Sequence, residues 1–164
     1  MNRSLASPGR SLRDAWRRLS PLPGGRTLFS VGLGRLVPYS GSIGARVEEL
    51  EPGYARILLR DHRAVRNHLR SVHAVALVNV LELASGLAML AGLPDELRAI
   101  VLHLEVDFVK KARGVLTAEC RCVPPSAAVE QEVWLEPAVV DAGGAVVARG
   151  RVQWLVRPAE PSHA

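Results

Sequence analysis

Hydrophobic residues crowd the stretch His73–Ala91 (HAVALVNVLELASGLAMLA) on nearly every side of a helical projection. A helix of that kind is one that the rest of a domain wraps around. The polar run Arg66–His73 leads into it, and Leu93-Pro94 ends it. The exceptions inside it are Asn79, Glu82 and Ser85. With Gly86 and Met89 they fall on one stripe, roughly a third of the circumference wide.

Elsewhere the pattern changes to a period of two. Ala45–Glu51 and Tyr54–Arg60 flank Pro52-Gly53, which predicts a hairpin. After the helix, Ile100–Val109 sets Ile100, Leu102, Leu104, Val106 and Phe108 on one face, with His103, Glu105 and Asp107 on the other. Val115–Val123, Val129–Val140 and Ala145–Val156 follow, the last entered through the turn Asp141-Ala142-Gly143-Gly144. Ahead of the strands, Ser11–Leu19 reads as a short amphipathic helix with Leu12, Trp16 and Leu19 on one side. It is read as a docking helix, with a membrane-surface anchor as the alternative. Thr27–Leu36 is a second short helix.

Two strands, one long helix and four strands predict an α+β domain, an antiparallel sheet curled around a helix. The expected division is a helical extension over 1–40, disordered over 1–10, then a sheet-and-helix domain over 41–157 and a tail over 158–164.

Composition narrows the function. The chain has 164 residues, a net charge of +5 and 4% aromatics, so Val, Leu and Ala must fill the interior. The charge sits at one end: residues 1–26 hold six Arg against Asp14 alone, and the remainder is neutral. This distribution argues against nucleic-acid binding. Met1–Arg26 has no continuous apolar segment of the signal-peptide kind, and the one long apolar helix carries Glu82, so neither a leader nor a membrane span is expected. Cys120 and Cys122 alternate across one residue and are read as structural thiols in a reducing, cytoplasmic compartment. His62, His68 and His73 fit no usual ligand spacing, so no metal is expected.

Glu82 is the residue that needs explaining, because a carboxylate on an apolar buried helix is costly unless it is paired or has a task. His73 stands at the helix start, and the Ala74 amide is expected at the positive end of the helix dipole, where it could polarise a carbonyl as an oxyanion donor. Nine residues of helix separate His73 from Glu82 by about 13 Å. One helix does not easily bring both to one carbonyl.

The order of elements, with Asn67, His73 and Glu82, resembles the hotdog-fold acyl-CoA thioesterases, in particular the PaaI-type (phenylacetate-pathway) group and an uncharacterised bacterial branch close to it. Val106-Asp107-Phe108-Val109-Lys110-Lys111-Ala112, then Gly114 and Leu116-Thr117-Ala118-Glu119, is similar to the family's strand, basic turn and next strand. The resemblance covers residues 40–157. It implies an acyl-CoA substrate, medium-chain or aryl, with CoA as part of the substrate and no separate cofactor. Glu82 would be base or nucleophile, facing Asn67, His73 and Ala74 of a partner subunit. Arg63, Arg66, Arg70, Lys110, Lys111 and Arg113 are the candidates for the CoA phosphates. Asn79, Ser85 and Gly86 are candidates for the acyl side. An edge strand, Tyr54–Arg60 or Ile100–Val109, would pair with its copy in a homodimer with a twelve-stranded sheet. Gly86 would let the two central helices approach, and dimers pairing into tetramers are left open.

Structural roles stand beside these: Glu82 as a paired interface carboxylate, Asn67 as a loop cap, His73 as a helix cap. The family's two glycines after the histidine are Ala74 and Val75 here, and Arg98–Leu102 lacks a Ser or Thr. Those departures motivate the alternative function, a hotdog protein that binds acyl-CoA or fatty acid without hydrolysing it.

Overall fold

The computed structural model describes residues 8–159. Three helices lead: α1 (Pro8–Leu19), α2 (Gly25–Leu36) and a single turn, α3 (Pro38–Gly41). Then come β1 (Arg46–Glu51), β2 (Tyr54–Arg60), the long α4 (Ala74–Gly92), β3 (Leu97–Phe108), β4 (Val115–Arg121), β5 (Gln131–Leu135), β6 (Ala138–Asp141) and β7 (Val146–Pro158). All pairings are antiparallel, in the order β1-β2-β4-β6-β7-β3, with β5 also on β7. The sheet curls around α4 in the hotdog arrangement.

Burial explains the curl. Val80, Leu81, Ala84, Ala88 and Met89 of α4 are inaccessible to solvent, against Ile57, Leu59, Leu116, Val139, Val152 and Val156 of the sheet. By length and composition alone α4 could cross a membrane, yet most of it is enclosed within the domain. The first strands turn at Gly53, where φ is 78° and a β-carbon would lie 2.4 Å from the Cys122 carbonyl, so only glycine fits.

Four expectations change. Pro8–Arg10 are helical rather than disordered, whereas residues 1–7 and 160–164 lie outside the described residues. The segment Val129–Val140 is two strands, because the Pro137 carbonyl accepts from Gly150 and Pro137 itself has no N–H for the ladder. Among the described residues the sheet therefore has seven strands rather than six, so the twelve-stranded count for a dimer does not hold. Residue Leu102 forms a bulge between Val101 and His103, so Ile100 falls on the face opposite Leu104 and Val106. Finally, β2 lies between β1 and β4 and offers no edge; among the described residues β1, β3 and β5 each pair on one side alone.

The N-terminal helices dock on α4. On α1, Arg13 Nη1 donates to the carbonyls of Ala91 (3.1 Å) and Leu93 (3.3 Å) at the C-terminal end of α4, where carbonyls lack intrahelical partners. Asp95 pairs with both Arg10 and Arg13. Trp16 meets Phe29 of α2 edge-on, with ring centroids 5.0 Å apart. Ser30 of α2 accepts from the Val47 amide of β1 at 2.9 Å.

Candidate active site

Docking these helices leaves a cavity of about 500 Å³ between α1, α2 and one face of α4. Its walls are almost entirely apolar, with Phe29 and Trp154 among the aliphatic side chains, and Glu82 is the one ionisable group among its described lining residues. The carboxylate has no hydrogen-bond or ion-pair partner among the described residues. Burial without a compensating partner pushes its pKa above the usual carboxylate range. Gly86 lies one turn further along: a β-carbon there would stand 3.2 Å from Trp154 Cη2 and 4.0 Å from Glu82 Oε1. The space beside Gly86 is therefore occupied by Trp154 of its own chain.

The polar stripe read from the helix divides in three dimensions. Glu82 and Gly86 face the cavity. Ser85 is buried toward the sheet, donating to the Glu82 carbonyl (2.8 Å) and accepting from the Trp154 indole (3.3 Å). Asn79 is buried beneath α3, its Nδ2 donating to the Tyr39 carbonyl at 3.1 Å, with Oδ1 unpaired. Neither residue lines the cavity.

The N-terminal end of α4 forms the second group. His73 caps it, with Nδ1 accepting from the Val75 amide at 3.1 Å. His73, Ala74 and Val75 are exposed, and with the Val75 and Ala76 amides both donating to His73, Ala74 carries the amide of this turn that His73 does not take up. Asn67 Oδ1 accepts from the Leu69 amide, the Ser71 amide and the Ser71 hydroxyl at 2.9–3.2 Å, which closes the loop before the helix. Its carbonyl oxygen is thus engaged within the loop.

Around this end the two basic segments meet. The Val72 amide donates to Ala112, the Asp61 amide to Gly114, and Arg113 to the Leu69 carbonyl. Arg66 is paired with Asp61 at 2.6 Å and Lys110 with Asp141 at 2.5 Å. Arg63, Arg70 and Lys111 are exposed beside them. Glu82 stays two turns or more down the same helix, so one chain does not bring carboxylate and helix start to a common point. Among the described residues, no cluster of three His, Cys, Asp or Glu is arranged to hold a metal.

Sequence reasoning missed Leu12, Leu19, Leu33 and Trp154 as parts of this site. The alternation of Leu12, Trp16 and Leu19 marked α1 as a docking helix, but which face of α4 it covers is a tertiary fact.

Residues 25–156, from the start of α2 to near the end of β7, match the family described as "Domain of unknown function (DUF4442)". The chain belongs to the DUF4442 family. Among solved structures, this DUF4442 chain is similar to a structural-genomics target, at 27% identity over 91% of this chain and 99% of that one, with a TM-score of 0.79. It is also similar to a Pseudomonas aeruginosa protein of unknown function described as a probable thioesterase, at 26% identity over 84% and 97%, with a TM-score of 0.71. A thioesterase family protein from Silicibacter pomeroyi shares the fold at 18% identity over 79% and 96%, with a TM-score of 0.67. No curated protein matches the DUF4442 chain.

Proposed function

We propose that this protein hydrolyses an acyl-CoA thioester, medium-chain or aryl, with Glu82 as the general base. One observation carries the reading: an unpaired carboxylate sits in an apolar cavity large enough for a ligand, within the usual range of small-molecule sites. The fold neighbour described as a probable thioesterase supports it.

In the proposed reaction Glu82 takes a proton from water as the water oxygen bonds to the thioester carbonyl carbon. The developing oxyanion is held by the Ala74 amide of a second copy, at the positive end of that copy's α4. The C–S bond then breaks. The thiolate takes up the proton, and a carboxylic acid leaves. The long interval between Glu82 and the helix start within one chain supports a site shared across a dimer. The β3 edge, with Ile100, Leu102 and Phe108 at least half exposed, is the surface proposed for that pairing.

The basic segments around Arg63, Arg70 and Lys111 are the proposed contact for the CoA phosphates. Asn67, committed to its loop, is assigned the role of holding the helix start in place. Free thiols at Cys120 and Cys122 fit a cytoplasmic setting; burial pushes the Cys120 thiol up to about 12.

The test is thiol release across an acyl-CoA panel, with Glu82→Gln as control. Release that the substitution abolishes supports the reading. Binding of acyl-CoA by calorimetry with no release from any member favours the non-catalytic alternative instead.

A further inference from the structure

We propose that the N-terminal helices make an acyl-chain pocket, and that this pocket selects an unbranched aliphatic acyl group over an aryl one. The inference rests on the Glu82 reading for the position of the carbonyl, but its evidence is the cavity itself.

Three observations carry it. The cavity follows α4 from Glu82 to Leu90, about 12 Å of helix at the usual rise, so a chain laid along α4 has that length of wall to contact. Its walls along that length are mainly leucines from three helices, among them Leu12, Leu33, Leu83 and Leu87, with Phe29 and Trp154 as the aromatic members. Apart from Glu82, its polar side chains are the hydroxyls of Ser11 and Ser40 and the indole of Trp154, and that indole N–H is already committed to Ser85. A flexible methylene chain gains from each such contact, whereas a ring leaves much of that wall uncovered. The carboxylate at one end places the reacting carbonyl there and sends the chain along α4 beneath α1 and α2.

Gly32 offers the means to test this. It lines the cavity from the middle of α2, and a β-carbon built on it meets nothing within 4 Å. Leucine there fills the cavity and also improves helix propensity, so the fold is kept. Dodecanoate is titrated by calorimetry into wild type and into Gly32→Ala, Gly32→Leu and Gly32→Phe, and kcat/KM is measured on dodecanoyl-CoA, butanoyl-CoA and benzoyl-CoA.

Wild type is expected to bind dodecanoate and to prefer dodecanoyl-CoA over both other substrates. Binding should weaken in the order Ala, Leu, Phe. Gly32→Leu should lower the dodecanoyl-to-butanoyl ratio at least about tenfold, the effect of losing a methylene or more of pocket contact. Graded loss of dodecanoate binding with no thiol release from any substrate upholds the pocket and removes the hydrolase reading. Thiol release that is indifferent to chain length and to Gly32 overturns the pocket and leaves the hydrolase reading intact. No dodecanoate binding by wild type, or equal binding by all four proteins, also overturns the pocket.

Discussion

The indole N–H of Trp154, on β7, donates to the hydroxyl of Ser85, on α4, across 3.3 Å. Ser85 donates onward to the Glu82 carbonyl, so the turn of helix carrying the candidate base is pinned to the sheet. Replacing Ser85 by Ala leaves a buried donor unpaired, at a cost of about 1–3 kcal/mol. Urea unfolding of Ser85→Ala, Trp154→Phe and the double variant should give a coupling energy of about 1 kcal/mol. Simple additivity would show that the bond contributes nothing.

Glu82 carries a pH dependence whose sign follows from its surroundings. Its folded pKa is raised by burial, so in the interval between the ordinary carboxylate value and that raised value the native state holds more protons than the unfolded one. Stability from this group therefore falls as pH rises through that interval, and the penalty persists above it. Below pH about 4 the wild type and Glu82→Gln should be equally stable, while at pH 8 the variant should be the more stable. The base role requires the ionised form, so hydrolysis should rise with pH through an apparent pKa above that of a free carboxyl. Identical pH profiles of stability for the two proteins would contradict the burial of an unpaired charge.

Ala74 permits a clean removal of one backbone donor. It is the first residue of α4, and His73 before it has φ −65° and ψ 142°, a conformation that accepts a following proline. Proline is favoured at that first position and lacks only the N–H. Ala74→Pro should fold normally and lose thiol release. Co-refolded with Glu82→Gln, half of the dimers are mixed and each has one intact shared site. About a quarter of wild-type activity should return. Mixed dimers that form and remain dead would sink the shared-site proposal.

Arg13 joins α1 to the end of α4 through the carbonyls of Ala91 and Leu93. Its side chain is about a third exposed, so Arg13→Ala should cost roughly 1–2 kcal/mol. Because α1 forms one wall of the cavity, dodecanoate affinity should fall with it. Proteolysis near the N-terminus should also become faster, and unchanged protection would argue against this anchoring role.

Hydrophobic patterning by itself determined the central helix, the hairpin at Pro52-Gly53 and the run of strands that follows. Burial imposes a period of two or a full apolar circumference on the sequence, and these are visible without coordinates. Glu82 was legible for the same reason, as a charge standing where apolar side chains prevail. Pro137 marks the division of Val129–Val140 in the sequence itself, but the Leu102 bulge and the choice of Ile100–Val109 over Tyr54–Arg60 as a free edge were not legible. Each depends on which strand lies alongside, and pairing partners leave no local periodicity. The cavity belongs to tertiary structure altogether. The leucines of α1, α2 and α4 each read as ordinary core, and only the docking of three helices, held by Arg13 and by Trp16 against Phe29, decides that the space between them stays open beside Glu82.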